Sequence, residues 1–369
     1  MRRNRKSKSV LKILDRYIIK KYLSTFGFVV LIFTLISCVI DFSEKVESFI
    51  REPITKKEIW IDYYLNFIPH INTLLFPIYA LIAVIFFTSR MAYDSEIISI
   101  LNAGVSFVRL MRPYLIAAFL IAGLHLVMNH YIVPNGNKKR LAIEHKYVWK
   151  FNDRAKTDNV HMFLDPSTKI FIANYRKQDT SARDLRIEHF DNGNLTSVTK
   201  ADFAYWRGFP NKWHLENVQK RNFNGIHETL VRMATEDTTM NLTPDDFVRF
   251  LNQKEMLTTP ELQNEIDKLQ KRGIGNTKEY QMEVYRRTSD PVSIIILSLI
   301  GMALAARKVR GGIGLHLALG IGLGAVFIFL SKFSVTIAMQ PGVSPLIGVW
   351  LPNIMFGIVA LVLIARAQK

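Results

Sequence analysis

The apolar residues of this chain gather into long uncharged runs toward its two ends, while the middle third mixes polar and apolar positions. Six runs can cross a bilayer: residues 22–40, 63–87, 113–133, 291–306, 313–331 and 346–365. A helix rises about 1.5 Å per residue and needs about 20 apolar residues to cross the hydrocarbon core. The second run is long and holds Pro69 and Pro77, which predicts a tilted or kinked helix. The fourth is short, so its helix is expected to begin before Pro291, with polar residues outside the core.

The segment between the third and fourth runs has a different period. Residues 160–164, 169–175, 185–190, 195–206, 213–218 and 229–233 are short β-rich runs. They are separated by turn signals such as Asp165-Pro166-Ser167 and Asp191-Asn192-Gly193, with a hairpin tip expected at Asn211-Lys212. Short strands at regular spacing predict a sandwich, jelly roll or barrel. Thr258-Thr259-Pro260-Glu261 then opens a helix that Gly273 should end, and a polar helix over 277–288 should lead into the fourth run. The domains so read are 1–133, 134–250 (β), 251–290 (a helical connector) and 291–369. The fold class is an α-helical membrane protein of six spans, with an all-β, jelly-roll-like domain inserted after the third.

Charge changes the picture by giving the chain a direction. The net charge is +17, and much of it borders the spans: the tail up to Arg16, then Arg90, Arg109 and Arg112, then Arg307, Lys308 and Arg310, and finally Arg366 and Lys369. The 339–345 loop is uncharged. By the positive-inside rule both termini face the cytoplasm and the β segment lies outside. The first run is too long for a signal peptide and ends without a small-residue cleavage site, so it reads as a retained span. Nucleic-acid binding has no zinc, RRM or helix-turn-helix pattern beside the charge. Cys38, the single cysteine, can form no internal disulfide and reads as a small apolar residue.

Candidate chemistry is sparse. There is no G-x-x-x-x-G-K-[ST], H-E-x-x-H or G-x-S-x-G, and no catalytic or metal residue is assigned. His70, His125 and His130 lie on apolar runs without metal-ligand spacing and read as polar helix contacts, the alternative being a membrane enzyme. Gly320 and Gly324 form a small-xxx-small step for close helix packing. The loop after the second run carries more: Asp94 or Ser95 can cap a helix near 94–104, Glu96 favours its first turn, and Gly104 can end it. Ile97, Ile100 and Leu101 make an apolar stripe, as on a helix seated in a partner's groove or on an ordinary interfacial helix.

This loop resembles the S-E-x-x-x-x-x-A-x-G-x-S pattern of the LptF/LptG permeases, present as Ser95, Glu96, Ala103, Gly104 and Ser106. Leu14-Asp15-Arg16-Tyr17-Ile18 resembles the family's opening, closer to LptG. Tyr285-Arg286-Arg287 with Pro291 resembles the start of its fourth span, and Gly342, Pro345 and Leu351-Pro352 its sixth. The resemblance covers nearly the whole chain. It implies a non-enzymatic permease in the inner membrane of a Gram-negative bacterium, paired with a second LptF/LptG-type permease over a cytoplasmic ABC ATPase dimer. In that arrangement lipopolysaccharide passes to a periplasmic LptC/LptA-type β-jelly-roll bridge. The chain binds no cofactor, and ATP is used by the partner. An ABC-type mechanotransducer fits less well, having four spans and its outer domain after the first. The resemblance also implies that Glu96, Ile97, Ile100, Leu101, Ala103 and Gly104 dock the ATPase, and that cations near the outer rim meet lipid phosphates. Lys45, Arg51 and Lys332 are the candidates. Where the family often has lysine near the outer end of span one, this chain has Asp41, with Lys45 one turn further.

Overall fold

The computed structural model describes residues 12–148, 158–176, 179–208, 211–225, 227–246, 252–271, 277–309, 311–340 and 342–367. The basic tail before residue 12, Gly273, Arg310 and Lys369 lie outside them. The helices are α1 (Ile13–Arg51), α2 (Leu65–Tyr93), α3 (Glu96–Asn102), α4 (Phe107–Val127), α5 (Val133–Ile143), α6 (Gln253–Met256), α7 (Thr259–Lys271), α8 (Lys278–Ala305), α9 (Gly312–Ala338) and α10 (Pro345–Ala367). Among the described residues six helical stretches are long and apolar enough to cross a membrane: α1, Glu58–Tyr93, Phe107–Val148, α8, α9 and α10. They correspond to the six predicted runs.

The third span corrects the predicted boundary at 134. Helix continues to Val148 through π-helical turns at Met128–Ile132 and Glu144–Val148. Pro134 follows closely on the π-helical turn Met128–Ile132, where the regular bond ladder is already interrupted, and the chain stays helical on both sides of it. In the fourth span α8 begins at Lys278, before Pro291 as predicted, and runs through that proline. Pro69 and Pro77 are likewise inside α2.

Two compact units emerge. One comprises the long helices with residues 255–259, and the other the strands with α7. In the helical unit Ile18, Tyr22 and Phe26 of α1, Phe76 to Met91 of α2, and Leu110 to Ala122 of α4 form one buried cluster. Gly320 faces Ile85, and Gly324 lies within van der Waals reach of Ile78 and Leu81, so the small-residue step of α9 packs on α2.

In the other unit β1 (Asp158–Asp165), β2 (Thr168–Arg176), β3 (Ser181–Asp191), β4 (Asn194–Trp206), β5 (Lys212–Asn224) and β6 (His227–Thr239) form one sheet. Each strand is antiparallel to the next in sequence. All six predicted runs are strands, and the architecture is consistent with the jelly-roll-like class. Asn192 and Gly193 both take positive φ, the backbone that a two-residue hairpin turn requires. Ser167 donates to the Asp165 carboxylate through its N–H and hydroxyl at 2.8 and 2.7 Å, closing the first hairpin. Ile170 and Ile172, Leu185 and Ile187, and Leu215 alternate to bury one face with Trp213, whose Nε1 donates to the Leu242 carbonyl at 3.0 Å; Val218 joins them across an irregularity at Asn217, which takes positive φ.

Candidate functional site

The helical unit concentrates polar chemistry in three places. The first is the α3 loop. Ser95 stands at the helix start with φ 63°, and its hydroxyl makes no cap bond, contrary to the predicted capping role. Glu96 opens the first turn, and Gly104, with φ 85°, ends the helix in a backbone conformation that glycine adopts without strain. Ser106 caps the next helix: its hydroxyl accepts from the Arg109 N–H at 3.3 Å.

The apolar stripe faces inward. Ile97 is fully buried, and Ile100 and Leu101 pack half-buried against the same α1–α2–α4 core. A helical stripe turns to whatever apolar surface it can bury first, and here that is the chain's own core. The exposed face consists of Ile98, Ser99, Asn102, Ala103 and Gly104.

Glu96 is bound by α1. Tyr17 donates its hydroxyl to Glu96 Oε2 at 2.8 Å, and Lys21 Nζ reaches Oε1 at 3.2 Å and Oε2 at 3.4 Å. Lys21 also lies 4.5 Å from the centre of the Tyr17 ring. Beside this cluster Arg109 of α4 grips the buried Asp15 of α1 through both carboxylate oxygens. The sequence singled out Asp15 and Tyr17 within a motif and Arg109 as a loop charge, but 79 and 94 residues of separation hid their partners.

The second place is the far end of α1. Lys45 Nζ contacts Asp41 at 2.5 Å, Glu144 at 2.7 Å and the Tyr63 hydroxyl. Arg140 adds a second cation to Glu144 at 3.1 Å. All five side chains are largely buried, and Asp41 is the natural partner of Lys45 one turn away. Lys45 is therefore committed to local pairing. Arg51 pairs with Glu47 at an exposed position, and Lys332 is exposed with no ion pair among the described residues.

The third place is a polar cavity of about 30 Å³, room for a water or two, lined by His70, Thr73, Asn129, Asn137, Glu255, Glu283, Arg286, Arg287 and Asp290. Arg287 donates to Glu283 at 3.2 Å, Thr259 at 3.1 Å and the Leu257 carbonyl at 2.8 Å, anchoring the 255–259 segment on α8. The membrane histidines make helix contacts, as the sequence reading expects. His125 pairs with the Thr73 carbonyl at 3.0 Å, His130 with Thr259 at 2.8 Å and His70 with Asn137 at 3.4 Å.

A family model described as lipopolysaccharide export system permease LptF/LptG matches residues 16–366. The LptG permease of Escherichia coli (strain K12) is 20% identical over 357 residues, 96% of this chain and 98% of that protein. The LptG permease of Haemophilus influenzae is 20% identical over 366 residues, 97% of this chain and 100% of that protein.

Proposed function

The chain belongs to the LptF/LptG family of lipopolysaccharide export permeases, and from that premise we propose that it is one of two permease subunits of an ABC-type exporter. It takes lipopolysaccharide from the outer leaflet of the inner membrane and passes it to a periplasmic β-jelly-roll bridge. A separate cytoplasmic ATPase dimer supplies the energy, in keeping with the lack of a phosphate-binding loop in this sequence. Both termini are cytoplasmic, on the charge asymmetry of the short loops.

The observation that carries the coupling role is the α3 loop. It is a short helix held on the chain's core by Ile97, with Glu96 at its start and an open face at Asn102, Ala103 and Gly104. An ATPase groove would meet this face and the half-exposed edge of Ile100 and Leu101, while a cation of the ATPase adds to Glu96. That carboxylate has lone pairs beyond those used by Tyr17 and Lys21. On the lipid side, exposed Lys332 and Arg51 are the cations read as meeting phosphate through charge-assisted hydrogen bonds, Arg51 giving up its exposed pairing with Glu47 to do so. Lys45 would first have to release Asp41 and Glu144.

Copurification from native membranes tests the assignment. The expected complex contains an ABC ATPase, a second permease and bound lipopolysaccharide, and moves that lipid only with ATP. A complex lacking the lipid and showing no ATP-dependent transfer would overturn it. A photocrosslinker at Lys332 should form a lipopolysaccharide adduct. Adducts at neighbouring control sites but not at 332 would remove that residue from the lipid path.

A further inference from the structure

We propose that Tyr17 and Lys21 are positioning residues that join α3 to α1, so that α1 carries the ATPase stroke as one rod to the opposite end of the helical unit. This rests on the permease reading above and names the transmission within it. α1 has 39 residues and no proline, which makes it about 58 Å long at 1.5 Å per residue. The other spans carry residues that loosen a helix: α2, α4, α8 and α10 contain prolines, α4 joins α5 through a π-helical turn, and α9 is rich in glycine.

The rod is gripped at both ends. At its start, the Tyr17 hydroxyl and Lys21 ammonium hold both oxygens of Glu96, and Arg109 holds Asp15. Near its far end, Asp41 and Lys45 are tied to Tyr63 beside α2 and to Glu144 of the third span. A displacement of α3 by a partner at its open face therefore reaches α1 through Glu96. Along the unbroken, proline-free α1 it arrives at the Asp41–Lys45 network. Glu96 thus stands between two donors of its own chain and the proposed donor of the ATPase, which makes it the joint of the lever.

The test uses the complete complex with its ATPase and second permease in proteoliposomes, reading lipopolysaccharide transferred per ATP hydrolysed. In Tyr17→Phe/Lys21→Met the ATPase should stay bound and hydrolysis should remain within about twofold, while transfer per ATP falls about fivefold or more, the size of an ordinary coupling energy. Lys21→Arg, which keeps the charge, should restore most of the ratio; a fold defect would not be rescued so selectively. Lys21→Met alone, at a side chain about one-third exposed, gives the same comparison with the Tyr17 hydroxyl in place. An unchanged ratio in the double variant overturns the lever. So does loss of the ATPase from that variant, which would confine both residues to shaping the docking face. Absence of ATP-dependent transfer by the wild-type complex would instead overturn the permease reading.

Discussion

Arg109 holds Asp15 in a two-pronged ion pair, with nitrogen–oxygen distances of 2.8 and 2.7 Å, across 94 residues of sequence. The pair is lopsided: the Asp15 side chain is 5% exposed and that of Arg109 is 25% exposed. Removing the cation strands a buried carboxylate, whereas removing the carboxylate leaves a guanidinium that can reach water. Arg109→Ala should therefore cost more than Asp15→Ala, about 3 kcal/mol against about 1. Arg109→Lys should rescue poorly, because an ammonium cannot make the parallel pair of bonds. Thermal unfolding of the purified variants in detergent checks the order; equal losses would show that the pair's geometry is not what stabilises this corner.

The Asp41–Lys45–Glu144 network predicts a non-additive pair of substitutions. Lys45→Met leaves Asp41 without its ammonium and should lower stability by about 3 kcal/mol. Asp41→Asn/Lys45→Met removes both charges and should recover most of that loss, since Arg140 still pairs with Glu144. Additive effects in a double-mutant cycle would contradict the network.

Close helix approach can be tested with methyl groups. A Cβ on Gly348 of α10 would collide with Ala338 Cβ of α9 and press on the Ser334 carbonyl at 3.2 Å, neither of which can swing aside. On Gly320 it would strike the end of the Ile85 side chain, which can rotate, and on Gly324 it would lie 3.6 Å from Ile78. Gly348→Ala should cost about 1–3 kcal/mol, Gly320→Ala less, and Gly324→Ala almost nothing or a small gain from helix propensity. Melting temperatures ranked otherwise would show that the α9–α10 contact is looser than its geometry implies.

Topology is checked by labelling. In a Cys38→Ser background, Lys200→Cys at an exposed position of β4 should react with an impermeant thiol reagent in intact spheroplasts, and Arg366→Cys at the end of α10 should react only after lysis. The reverse pattern would invert the orientation drawn from the basic loops.

The spans and strands were legible in the sequence because each is set by a local period. Twenty apolar residues can be satisfied only in a bilayer or a large core, and alternation with Asn-Gly or Asp-Pro-Ser turns can be satisfied only by a hairpin. The boundary at 134 was local too: it followed the end of the apolar run at Val133, whereas the helix continues past it behind a π-helical turn.

The candidate site divides along the same line. By itself the sequence determined that a short helix opens near Glu96 and ends at Gly104, and that it carries one apolar stripe, because a first-turn carboxylate, glycine φ and helical spacing are properties of neighbouring residues. Only the tertiary structure decided which way that stripe turns and what holds Glu96. Ile97 is buried in the chain's own core and the carboxylate is taken by Tyr17 and Lys21, because amphipathic spacing fixes a face but not its partner, and ion pairs form between side chains that the packing of separate helices brings together. Lys45 is the same case: its charge was visible, but its commitment to Asp41 and Glu144 depended on the third span returning beside the end of α1.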